Sequence, residues 1–81
     1  MRRGHLDRAA AILTAAIQNP KRSPSQIFGY EGIAYDFLKP LITAGLVKVY
    51  GENKHRRLLL TDNGREFLKH YKILEQLFPP I

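Results

Sequence analysis

The sequence predicts one mostly helical α+β domain over residues 1–81, with a three-helix core, a β-hairpin of two or three strands and a C-terminal helix. Three observations carry this. Apolar residues recur at helical spacing in separate segments along the chain. Two short runs rich in Val and Leu flank a polar turn that opens with glycine. At 81 residues the chain has room for one thin core and no second domain.

The elements follow in order. Leu6, Ala9, Ala10, Leu13, Ala16 and Ile17 share a helical face, alanine favours helix intrinsically, and Asn19-Pro20 stops the segment, giving a first helix from Leu6 to Gln18. Lys21-Arg22 is expected as a short strand. Ser23-Pro24-Ser25-Gln26 is a helix start: Ser23 caps, Pro24 takes the first helical position and Gln26 closes a capping box. The second helix is short, because Gly29 and Gly32 bracket an expected turn at Tyr30-Glu31.

A third helix is expected from Ile33 to Ala44. Ile33, Phe37, Leu38, Leu41 and Ala44 fall on one side, and Tyr35, Asp36, Lys39 and Thr43 on the other. Pro40 inside it predicts a kink, or a break between Lys39 and Leu41, since an interior proline costs about 3 kcal/mol. Gly45 ends it. Leu46–Tyr50 and Arg56–Leu60 read as strands about a turn at Gly51–His55. Thr61 caps the last helix, Asp62 complements its dipole, and the helix runs to Leu77 before Pro79-Pro80.

Composition narrows the function. Thirteen Lys+Arg against seven Asp+Glu give a net charge of +6, and a chain this basic attracts polyanions. The absence of cysteine excludes disulfides, thiol catalysis and thiolate zinc sites. His5, His55 and His70 are scattered, and Glu66–His70 has the i,i+4 spacing of an ordinary surface pair. With no nucleophile motif or phosphate-cradling glycine loop, the expectation is no enzyme, no metal and no cofactor. No apolar run reaches the ~18 residues of a membrane helix. The stretch after Met1-Arg2-Arg3 is too alanine-rich and interrupted for a signal peptide, so a cytoplasmic, nucleoid-associated location is expected.

Two segments carry a resemblance. Leu38-Lys39-Pro40-Leu41-Ile42-Thr43-Ala44-Gly45-Leu46-Val47 resembles the end of a recognition helix entering a first wing strand. Leu58-Leu59-Leu60-Thr61-Asp62-Asn63-Gly64-Arg65-Glu66-Phe67-Leu68 resembles the second wing strand entering a last helix. In this order they are similar to the winged helix-turn-helix family of prokaryotic regulators, and to the small archaeal chromatin-associated winged-helix proteins. The resemblance implies double-stranded DNA as partner, the third helix in the major groove and the wing on phosphate or in the minor groove. Carried over, Tyr35, Asp36, Lys39 and Thr43 face the groove. The 22 positions from Ser23 to Gly45 are about one turn fewer than expected, so the second or third helix is shortened.

The charges fit the same reading. Lys54, His55, Arg56 and Arg57 are consecutive at the hairpin tip, with Lys48 on the facing strand. They read as phosphate or minor-groove contacts, against edge protection of the hairpin as the alternative. Lys21, Arg22, Ser25 and Gln26 form a second phosphate site at a helix N-terminus. Arg2, Arg3 and Arg8 read as a basic arm or a frayed end. Phe67, Tyr71, Leu74 and Phe78 form a stripe that Ile73, Leu77 and Leu68 widen to about 220°, more than one core requires. This predicts a homodimer through residues 61–78. The expected function is a DNA-binding transcriptional regulator or architectural protein. The alternative, which the single cation on the third helix favours, is a protein-interaction module of a transcription or chromatin assembly.

Overall fold

The computed structural model describes residues 4–52 and 55–77. Helix α1 spans His5–Gln18. The Asp7 carboxylate accepts a hydrogen bond from the Gly4 N–H at 3.3 Å, which satisfies one donor at the helix start. The helix ends where Asn19 donates from both its backbone and its side-chain amide to the Ala15 carbonyl. Lys21 and Arg22 lie in a turn and a bend, not the expected strand: the Arg22 N–H closes back on the Asn19 carbonyl at 3.1 Å.

Helix α2 spans Pro24–Glu31, with the predicted capping box in place. The Gln26 N–H donates to Ser23 Oγ at 3.3 Å, and the Ser23 N–H donates to Gln26 Oε1 at 3.0 Å. Tyr30 and Glu31 remain helical, so the turn expected there comes later. Gly32 (φ 67°) closes the helix, with its own N–H on the Gly29 carbonyl and the Ile33 N–H on the Phe28 carbonyl.

The third helix is the main departure. Ile33 and Ala34 precede it in non-helical backbone, Tyr35–Phe37 form a 3₁₀ turn, and helix α3 covers only Leu38–Thr43. Closure at Gly32 consumes the residues that would have begun a longer helix. Pro40 therefore falls in the first turn of α3, where its missing N–H would have had no intrahelical partner, and no interior kink is needed. Gly45 (φ 76°) repeats the closure: its N–H reaches the Ile42 carbonyl and the Leu46 N–H reaches that of Leu41.

Strands β1 (Val47–Tyr50) and β2 (Arg57–Leu60) pair antiparallel, Val47 opposite Leu60 and Tyr50 opposite Arg57. Two strands, not three, make the sheet among the described residues. Period-2 alternation turns Val47, Val49, Leu58 and Leu60 inward and Lys48, Tyr50, Arg57 and Leu59 outward. Helix α4 spans Asp62–Leu77.

The core sits between α1, α2 and the inner sheet face, where Ile12, Leu13, Ile27, Phe28 and Val47 are almost wholly buried. Each such side chain contributes about 1.5–3 kcal/mol by leaving water. α1 packs on α2, α4 and β2, and so holds the helical and sheet parts together. No helix among the described residues is long and apolar enough to cross a membrane.

Candidate nucleic-acid interface

The start of α2, the 3₁₀ turn and the hairpin meet in one open cleft of about 640 Å³. Lys21, Ser25 and Gln26 line it from the start of α2, Arg56 and Arg57 from the hairpin, and Tyr35 from the 3₁₀ turn. Tyr35 is held from below by the buried Phe28, the two rings 5.4 Å apart and tilted. Arg57 donates from Nη1 to the Arg56 carbonyl at 2.7 Å, which tethers one guanidinium at the cleft wall. Lys21 of one basic cluster and Arg56 and Arg57 of the other, read separately from the sequence, thus line one site.

Gln26 has part of its capacity committed, since its carbonyl oxygen serves the Ser23 cap. Arg22 does not line this cleft. Its guanidinium lies 4.1 Å from the Tyr30 ring centroid, in a cation–π contact. Arg8 is no part of a free arm either: it belongs to α1, sits 5.2 Å from the Phe37 ring centroid and hydrogen-bonds His5 at 3.1 Å. Arg2, Arg3, Lys54 and Phe78 lie outside the described residues.

Tyr35 also begins a second groove, of about 520 Å³, along the outer side of α3. Tyr35, Asp36, Lys39 and Thr43 all lie there and are exposed, as the helical spacing predicts. Ile42, 45% exposed, shares the groove. Sequence reasoning placed it on neither face, although at 100° per residue it falls within about 20° of Tyr35. A third recess, of about 560 Å³, lies beside the hairpin's outer face and holds Lys48 with Leu59 and Arg65. Lys48 therefore shares a recess with Arg65, a residue the sequence gave no reason to single out, while on the outer sheet face it lies diagonally across from Arg57. His55 is exposed in the turn, its N–H bonded to the Glu52 carbonyl.

The seven residues of the widened stripe separate, and Leu68 is buried in the chain's own core. Phe67 and Tyr71 are half-buried against the chain's own core, and the Tyr71 hydroxyl donates to the Asp7 carboxylate of α1. Ile73, Leu74 and Leu77 are 46%, 52% and 65% exposed.

Three solved structures share this arrangement of helices and hairpin. A protein of Pseudomonas aeruginosa PA01 described as a transcriptional regulator superposes with a TM-score of 0.72 at 17% identity over 95% of this chain. Sso10a-2, a DNA-binding protein from Sulfolobus solfataricus, gives 0.68 at 25% identity over 94%. Staphylococcus aureus MarR, in complex with salicylate and kanamycin, gives 0.64 at 23% identity over 86%. The fold is a winged helix-turn-helix. This winged helix spans 57% of the first structure, 86% of the second and 54% of the third. No protein-family model matches the sequence, and no curated protein does. In winged-helix terms, α2 and α3 occupy the places of the helix-turn-helix pair and β1–β2 that of the wing. The cationic cleft lies where wing and helix-turn-helix meet.

Proposed function

We propose that this winged helix binds double-stranded DNA and acts as a transcriptional regulator, with no catalytic activity of its own, in the cytoplasm. One observation carries the reading. Lys21, Arg56 and Arg57 converge on a cleft that opens beside Tyr35 at the head of the recognition helix. A backbone phosphate seated between the start of α2 and the wing would set the duplex against α3. The +6 charge acts in the same direction, and the neighbouring Sso10a-2 is itself a DNA-binding protein.

On this reading Ser25 and Gln26 contact phosphate beside Lys21, and Tyr35, Asp36, Lys39 and Thr43 face base edges. Lys48 adds positive charge along the wing, His55 offers a polar contact in its turn, Lys54 is a further phosphate contact by its place in the sequence, and Arg22 contributes through its charge. Ile73, Leu74 and Leu77, exposed at the far end of α4, support a homodimer through that helix, which would present two recognition helices to one duplex. Phe67 and Tyr71 then brace the dimer helix from within.

A salt titration of duplex binding, followed by fluorescence anisotropy, tests the proposal. Four neutralised phosphates give a slope of log affinity on log salt of about −3.6. Failure to bind any duplex at low salt would overturn it in favour of the protein-interaction module, which the single cation of the α3 face favours.

A further inference from the structure

We infer that the outer face of α3 selects pyrimidine 5-methyl groups in the major groove, and that Ile42 is the residue that reads them. The inference rests on the DNA-binding reading and deepens it. Base-pair edges in the major groove offer acceptors, amino donors and a single apolar feature, the C5-methyl of thymine, which 5-methylcytosine also carries. The α3 face has few of the side chains that pair bidentately with base edges, and Asp36 is its one carboxylate acceptor for a base amino group. It has one cation, Lys39, for guanine acceptors, and none of its lining residues is the Asn or Gln that pairs with adenine.

What the face does offer is an apolar surface with an acceptor at its rim. Ile42 is 45% exposed over the buried Leu38, and Asp36 supplies a carboxylate in the same groove. An A·T pair presents a complementary edge: the adenine amino group donates, and the thymine methyl is apolar. The groove shares Tyr35 with the cationic cleft. Charge complementarity therefore fixes the occupant, because a backbone held at Lys21, Arg56 and Arg57 brings base edges, and not a protein side chain, over Ile42.

The test compares the full chain on alternating dA–dT duplexes with the chain on dA–dU duplexes of equal length. Uracil keeps every hydrogen-bonding group of thymine and lacks only the methyl. The expected result is about fourfold tighter binding to the thymine duplex for each methyl buried, lost in Ile42→Ala and kept in Ile42→Val. Ile42 is exposed, so both variants should fold, which circular dichroism checks. A parallel pair, alternating dG–dC with and without cytosine 5-methylation, separates the two sources. A gain on methylation means that the methyl alone is read; a preference confined to thymine means that the adenine amino group is read with it. Equal affinity for thymine and uracil duplexes, or a preference that survives Ile42→Ala, overturns the inference while leaving salt-dependent duplex binding intact. Absence of duplex binding at low salt overturns both readings.

Discussion

Thr61 and Gly64 join three elements at one point. The Thr61 hydroxyl donates to the Gly45 carbonyl at the end of α3 and accepts the Gly64 N–H at 3.0 Å, while the Thr61 N–H donates to the Leu46 carbonyl at 3.1 Å. That same carbonyl explains the glycine: a Cβ at position 64 would lie 2.1 Å from the Leu46 oxygen. Gly64→Ala should therefore destabilise the fold by about 1–3 kcal/mol, through overpacking against backbone, a loss that urea denaturation would measure. The Leu-Thr-x-x-Gly spacing was legible as a helix cap. The need for glycine was not, because the clashing atom belongs to a residue that only tertiary packing brings near. At the same scale, Arg56→Ala and Arg57→Ala should each weaken binding to all duplexes alike and make the salt slope about 0.9 less steep. A loss restricted to particular sequences would mean that these arginines read bases.

Among the elements, those with strong local signals came out close to the reading. α1 begins one residue early, the α2 capping box forms as read, and each strand is one residue shorter at its outer or inner end. The segment Ile33–Ala44 did not follow. Of its expected inward positions Ile33, Leu38 and Leu41 are in the core, Phe37 is half-buried and Ala44 is exposed, and its backbone was not a single helix. Periodicity reports which side of a segment is dry, and a buried residue in extended backbone satisfies that as well as a helical one. The shortening deduced from the spacing of Ser23 and Gly45 falls on α3. Pro40→Ala tests the geometry. In the first turn of α3 the substitution should change stability by less than about 1 kcal/mol, whereas relief of an interior helical proline would gain about 3 kcal/mol. Thermal denaturation of the two proteins distinguishes these values.

For the whole molecule, accessible area bears on assembly. The chain exposes 6145 Å², against roughly 5,000 Å² for a compact monomer of its mass, and its longest extent is 41 Å against 26 and 22 Å. Exposed Ile73, Leu74 and Leu77 contribute to this excess. The double substitution Ile73→Glu with Leu77→Glu should give a monomer in sedimentation equilibrium at micromolar concentration, with helix content retained, and should weaken duplex binding through loss of bivalency. A wild-type chain that sediments as a monomer would remove the dimer proposal and leave the cleft unaffected.

The sequence by itself determined the local matters: the bounds of α1 and α4, the start of α2, most of the inward residues, that the chain is cationic, and the order of elements that marks a winged helix. Capping, periodicity and charge act over a few residues, so they can be read along a line. The tertiary structure decided which distant residues become neighbours. It put Lys21 beside Arg56 and Arg57, withdrew Arg22 and Arg8 onto aromatic rings, moved Lys48 next to Arg65, and left Ile42 outside the core. Those outcomes depend on how α1, α2 and the hairpin share one small core, and burial of that shared surface is a property of the assembled chain that no segment carries alone.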